Sequence, residues 1–172
     1  MKIYTIGHST HPIEEFIEML QVYGVKELVD VRTIPKSRHN PQFNKDILPE
    51  SLGKIKYLHI PELGGLRHAK ADSLNIGWEN ASFRGFADYM LTEEFDKGIA
   101  ELIDLAQNKQ IAIMCSEAVP WRCHRSLIAD ALTVRGVLVE HILSRTSVRP
   151  HSMTSFAKVE GIKIIYPGLN LK

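Results

Sequence analysis

The residues of this chain with the most chemistry to offer lie between positions 115 and 125. Cys115, Ser116 and Glu117 are followed there by Pro120, Trp121, Arg122, Cys123, His124 and Arg125. A cysteine that ends an apolar run, just ahead of a turn into a helix, is placed to present a nucleophile. Nearby arginines and the helix N-terminus would favour its thiolate. The spacing departs from that of a cysteine phosphatase loop, because Arg122 follows Cys115 by seven positions and Glu117 would repel a phosphate. A strand-end cysteine is equally a small buried hydrophobe, so both readings of Cys115 stand. Cys123 and His124 could join Cys115 in a redox or metal-linked role. Adjacent ligands match none of the usual zinc spacings, however, and Cys123 could simply pack under the helix. No metal ligand set and no cofactor is assigned.

Other polar residues gather at comparable places. His8 and Ser9 follow the apolar run at 2–6. Asp30 and Arg32 stand at the end of a second run at 27–31, with Lys36, Ser37, Arg38 and His39 beyond it. After a third run at 56–60 comes Pro61-Glu62-Leu63-Gly64-Gly65, then Arg67 and His68. Arg32, Arg38, Arg122 and Arg125 can offer forked donors to a phosphate or carboxylate, and helix N-termini add backbone N–H groups. Asp30 and Glu117 are the carboxylates within reach of that basic set. Either could be a general base or could orient an arginine. Trp78 and Trp121 could stack on a base or sugar, or close the core.

The elements that must position these residues can be read from periodicity. Apolar residues at 13, 16, 17, 20 and 23 mark a helix over 11–23 with Gly24 as its stop. Residues 46–52 could form a short helix. The pattern over 83–107 is helical in two pieces, broken near 91–93, and residues 126–134 form another helix stopped by Gly136. Strands are expected at 2–6, 27–31, 56–60, 110–115, 138–142 and 162–166. Near-continuous apolar strands that alternate with helices point to an α/β fold. The expected form is three-layer and Rossmann-like, with a mostly parallel sheet and helices on both faces. A long irregular insertion rich in Pro and Gly follows the second strand. Parallel strands direct their carboxyl ends to one edge, where ligands of open α/β sheets bind. All four polar segments should therefore converge.

The 172 residues suit one domain, 44% hydrophobic and 24% charged. A net charge of +1 leaves no global field to draw the chain to nucleic acid or membrane. Two cysteines do not make a disulfide scaffold. The first residues lack a signal-peptide core, and no apolar run approaches membrane-spanning length. A cytoplasmic protein without membrane contact is expected.

The segments TIGHS (5–9), LVDVRTIPKSRHNPQF (28–43), PELGG (61–65), FRGFADYM (83–90) and MCSEAVPWRCHRSLIADAL (114–132) resemble the motifs of the domain-of-unknown-function 488 family. The resemblance runs from residue 2 to about 166. It implies a single α/β domain of bacterial or archaeal type and marks the GHS, DVR, SR, CSE and CHR segments as the family's polar set. It carries no activity, cofactor or catalytic role. From the residues, the expected function is an enzyme or nucleotide-handling domain acting on a phosphorylated or anionic ligand at the sheet edge. The alternatives are a non-catalytic nucleic-acid-binding module and a redox or metal-linked role of Cys115 and Cys123.

Overall fold

Short apolar strands and one-sided helices alternate along the chain, and the computed structural model describes them over residues 1–168. Strands β1 (Lys2–Gly7), β2 (Glu27–Asp30), β3 (Lys56–His59), β4 (Ile111–Cys115) and β5 (Leu138–Ile142) are mutually parallel. A sixth strand, β6 (Val148–Pro150), runs antiparallel to β5, giving the order β3-β2-β4-β1-β5-β6. Gly7 of β1 lies opposite Cys115 of β4, and Asp30 of β2 opposite Met114. The carboxyl ends of these three central strands therefore finish level with one another.

The helices are α1 (Ile13–Val22), α2 (Leu48–Ser51), α3 (Ala81–Tyr89), α4 (Glu93–Ala106) and α5 (Arg125–Thr133). Side chains alternate between the two faces of a strand, and two separate cores result. On one face Tyr4, Ile6, Leu28 and Met114 pack with Phe16, Met19 and Leu20 of α1, and with Phe43 and Leu48. On the other, Ile3, Val29, Ile111 and Ile113 pack with Phe86 of α3, Phe95 and Ile99 of α4, and Leu127, Ile128 and Leu132 of α5. This is the expected three-layer α/β arrangement. It also explains why β1, β2 and β4 read as near-continuous apolar runs: both faces are covered.

The irregular stretch after β2 holds only α2, β3 and two single turns at Pro41–Phe43 and Pro61–Leu63 before α3 begins. The break between α3 and α4 falls where expected, and Thr92 caps α4 by accepting from the Phe95 N–H. Asn80 starts α3 two residues earlier than the apolar pattern indicates, by accepting from the N–H groups of Ser82 and Phe83. The expected last strand exists as β8 (Lys163–Ile165), but it pairs with β7 (Lys158–Glu160) in a separate antiparallel hairpin. The hairpin turns at Gly161, whose φ of 64° suits a residue without Cβ. No helix among the described residues is long and apolar enough to cross a membrane.

Candidate functional site

Backbone contacts zip the strand ends together before any side chain is considered. The His8 N–H donates to the Cys115 carbonyl (2.9 Å), that of Ser9 to the Ser116 carbonyl (2.9 Å), and that of Val31 to the Met114 carbonyl (3.0 Å). Ser9 takes a left-handed conformation (φ 46°) to do so. Two close approaches need glycine. A Cβ on Gly7 would stand 1.7 Å from the Glu117 carbonyl oxygen and 2.9 Å from Arg125 Nη2. A Cβ on Gly65 would stand 2.7 Å from His124 Nδ1. The first of these obstacles is backbone and cannot swing aside. Gly7→Ala is therefore expected to destabilise the fold by about 3 kcal/mol, the upper end for an overpacked site. Urea unfolding reads this directly, and an unchanged midpoint would contradict the packing.

A cavity of about 300 Å³ opens between these segments. Cys115, Cys123, Glu117, His124 and Arg32 contribute to its wall, together with Lys36, Arg122 and the apolar Ile34, Leu66 and Phe83. Arg122, Lys36 and Glu117 are exposed, whereas both cysteines are buried and unpaired as disulfides.

Arg32 is not free to hold a ligand with its full fork. Its Nε donates to Asp30 Oδ1 (2.9 Å) and its Nη2 to Asp30 Oδ2 (2.7 Å) and the Phe43 carbonyl (2.7 Å). Asp30 also accepts from the Tyr57 hydroxyl at 2.5 Å. His8 lies beside this pair, its ring stacked on Phe43 at 4.4 Å and its Nδ1 2.9 Å from the Ser9 carbonyl. Burial, opposed by that hydrogen bond and reinforced by the Arg32 charge, lowers the His8 pKa to about 4. The ring is neutral, Nδ1–H donates to Ser9, and Nε2 faces Arg32 Nη1 at 3.4 Å.

Arg125 is the most unusual group. It is 0% exposed, and no carboxylate among the described residues lies within ion-pair distance of it. Its Nε donates to Cys115 Sγ (3.0 Å), Nη1 to Thr5 Oγ1 (3.1 Å) and Nη2 to the Glu117 carbonyl (2.6 Å). The Arg125 backbone N–H, in the first turn of α5, donates to Cys123 Sγ at 3.4 Å. Burial and the hydrogen bond to Cys123 push the Cys115 thiol well above its ordinary pKa. Burial would raise the Cys123 thiol too, but the hydrogen bond from Cys115 and the Arg125 charge outweigh it and lower Cys123 to about 7. Arg125 thus holds both sulfurs, Cys115 through its side chain and Cys123 through its backbone N–H. His124 stands beside these sulfurs without donating to them. Its Nε2–H donates to the Val31 carbonyl (2.9 Å), which leaves the Nδ1 lone pair facing Cys123 Sγ at 3.6 Å.

Of the residues singled out by sequence, Arg32, Cys115, Glu117, Arg122 and His124 line one cavity. Asp30, His8 and Arg125 stand behind it through their contacts with Arg32 and Cys115. Ser9 joins through its backbone alone. Ser37 is tied into a local turn, its N–H donating to Asn44 Oδ1 (2.6 Å) and its hydroxyl accepting from the Asn40 N–H (3.0 Å). Arg38 is exposed and outside the cavity wall. Thr5 went unnoticed, although a lone hydroxyl inside the apolar run KIYTI was a usable signal. Among the described residues, no three His, Cys, Asp or Glu side chains group as a metal site would require.

No curated protein and no solved structure matches the chain. The family model described as "Domain of unknown function DUF488" matches residues 12–132, which hold β2, β4 and the whole 115–125 turn, and the chain belongs to that family.

Proposed function

We propose that the cleft at the carboxyl ends of β2 and β4 is a thiol-dependent active site for a small anionic substrate, with Cys123 as the nucleophile. One observation carries this reading. The guanidinium of Arg125 is buried, cannot lose its proton, and among the described residues has two cysteine sulfurs and no carboxylate to answer its charge. An uncompensated buried charge costs several kcal/mol, so the fold itself favours one thiolate shared between Cys115 and Cys123. The exposed cations Lys36 and Arg122 in the wall draw an anion towards that sulfur. Ile34, Leu66 and Phe83 suit an apolar portion of the same substrate.

The step balances within the site. The Cys123 thiolate attacks an electrophilic carbon or phosphorus of the substrate, and the bond to the leaving group breaks as the bond to sulfur forms. The leaving group departs with its electron pair and takes the Cys115 proton. The Cys115 thiolate that results is stabilised by Arg125 Nε, already at 3.0 Å. Water then attacks the thioester-like intermediate, gives its proton back to Cys115, and releases Cys123 as thiolate. Arg125 thus faces one negative charge throughout and needs no reorganisation.

Two free thiols held by the same arginine also favour a second reading, thiol–disulfide exchange. Cys123 would attack a substrate disulfide and Cys115 would displace the mixed disulfide. Two substrate thiols and one protein disulfide result. Wild-type protein separates the two: exchange leaves a Cys115–Cys123 disulfide that a dithiol reductant reverses, whereas the first reading leaves both thiols free after turnover.

Iodoacetamide alkylation followed by mass spectrometry tests the proposal. Cys123 is expected to react first, with a midpoint near pH 7, and inorganic phosphate is expected to protect it. Arg122→Gln with Lys36→Gln should abolish the protection without moving the midpoint. A midpoint at the ordinary thiol value of about 8.5, or no reaction before unfolding, would remove the nucleophile from the proposal.

A further inference from the structure

A second cavity, of about 320 Å³, shares no lining residue with the thiol cleft. Trp78, Trp121, His141, Arg149, His151 and Ser152 contribute to its wall. Behind it runs a buried chain of hydrogen bonds. Arg125 Nη1 donates to Thr5 Oγ1 (3.1 Å), which lies 2.6 Å from His141 Nδ1. His141 Nε2 is 2.9 Å from His151 Nδ1, and His151 Nε2 is 2.8 Å from Asp130 Oδ1.

The two ends of this chain dictate its middle. A guanidinium can only donate and a carboxylate can only accept. With both rings neutral, one set of tautomers satisfies every link. The Thr5 hydroxyl donates to His141 Nδ1, His141 Nε2–H donates to His151 Nδ1, and His151 Nε2–H donates to Asp130. Burial, reinforced by the Arg125 and Arg149 charges, lowers the His141 pKa to about 3 and keeps that ring neutral. All four imidazole nitrogens are therefore spent inside the protein.

What the wall retains for a ligand is hydrogen-bond donors and flat apolar surface. The exposed Arg149 guanidinium lies 5.4 Å from the centre of the Trp121 ring. Trp78 is fixed by edge contacts with Phe83 (5.1 Å) and Phe156 (4.8 Å). Its Nε1 is the one buried side-chain nitrogen or oxygen without a hydrogen-bond partner among the described residues. That atom is out of reach of solvent, so what Trp78 offers a ligand is its ring. Among the described residues no Asp or Glu lines the cavity, and the Asp130 carboxylate behind His151 is buried with both oxygens taken by His151, the Thr154 N–H and the Tyr166 hydroxyl.

We infer that this second cavity binds a planar aromatic ligand carrying an anionic group. The ring lies against the indoles of Trp121 and Trp78, and Arg149 takes the anion. Ring and anion are both needed, because the guanidinium and the Trp121 ring stand within one small ligand's length of each other. The inference does not rest on the chemistry of the thiol cleft.

A nucleoside monophosphate combines the two features, so the test compares adenosine 5′-monophosphate, adenosine and inorganic phosphate by calorimetry and tryptophan fluorescence. The monophosphate is expected to bind about tenfold more tightly than either fragment. Arg149→Gln should reduce its affinity to that of adenosine and leave adenosine unchanged. Trp121→Ala should weaken both by about tenfold, and both substituted positions are exposed, so the variants are expected to fold. Arg122→Gln, in the wall of the other cleft, should change neither. The inference is overturned if the monophosphate fails to bind at millimolar concentration, or if Arg122→Gln weakens binding while Arg149→Gln and Trp121→Ala do not.

Discussion

Replacing Arg125 with glutamine is expected to move the alkylation midpoint of Cys123 from about 7 to above the ordinary thiol value. At pH 7 the thiolate fraction would fall from about half to a few per cent or less, and the alkylation rate with it by at least about tenfold. The reason is the balance of forces at this sulfur. Burial alone raises a thiol pKa, and here it is overcome by the hydrogen bond from Cys115 together with the Arg125 charge. Glutamine removes the charge and leaves the burial. Arg125→Lys is the informative companion, because it keeps the charge while losing the fork that reaches Cys115, Thr5 and the Glu117 carbonyl at once. Its midpoint should lie between those of the wild type and Arg125→Gln.

The same balance makes stability depend on pH in a defined direction. The folded pKa of Cys123 lies below its unfolded value, so the thiolate adds nothing below about pH 7 and contributes increasingly as pH rises. The gain is complete once the unfolded thiol ionises, near pH 8.5–9, and a shift of roughly two units corresponds to about 2–3 kcal/mol. Cys115 acts in the opposite sense. Its folded pKa is raised, so above the ordinary thiol pKa the unfolded chain loses a proton that the folded chain keeps, and stability falls again. Wild-type stability measured by urea unfolding should therefore climb from pH 7 and peak near about pH 9. Cys123→Ser should lack the climb. Parallel profiles for the two proteins over that range would show that no thiolate compensates Arg125. This measurement is independent of whether Arg125→Gln folds well.

Arg125 also shows what sequence patterning could and could not reveal. Every residue of α5 from Arg125 to Leu132 is buried, polar and apolar alike. The burial of this arginine was therefore not legible from an amphipathic face: the expected helix began at 126, and residue type argues for a solvated charge. Its partners were not legible either. Thr5 is 120 positions away and comes alongside only because β1 pairs with β4. The strand ends converged as expected because parallel pairing is encoded by continuous apolar runs, as in β4. Which basic residues would face the cavity was a different matter. Arg32 and Arg38 look alike in the sequence, yet one is chelated by Asp30 and the other is exposed on an irregular loop without a period to fix its direction. The apolar run at 162–166 predicted a strand correctly, but a period of two says nothing about the partner, and β7 supplied a nearer one than the sheet. Strand β6 escaped notice because it is short and contains Pro150, which only an edge strand accommodates.

Asp30→Asn is expected to destabilise the protein by about 3–5 kcal/mol, the cost of stranding a buried charge. Asp30 is 0% exposed and Arg32 only 6%, so water cannot take over the lost role. The carboxylate accepts from Arg32 Nε, Nη2 and N, and from the Tyr57 hydroxyl. An asparagine oxygen could still serve Nε and N. Its NH₂ group would then point donors at the donors of Nη2 and Tyr57, which is worse than an empty position. Tyr57→Phe, by contrast, removes one donor and leaves the ion pair, so its cost should be about 1 kcal/mol. Replacing both partners, Asp30→Asn with Arg32→Met, should be markedly less damaging than the sum of the single changes, since neither charge is then stranded. Neither residue touches a cysteine sulfur, so folded Asp30→Asn protein should keep its Cys123 alkylation midpoint near 7. Additive costs for the two replacements in urea unfolding would mean that the pair is not coupled. A displaced midpoint would mean that Arg32 acts on the thiolate directly, as part of the reacting site rather than as the wall that holds it.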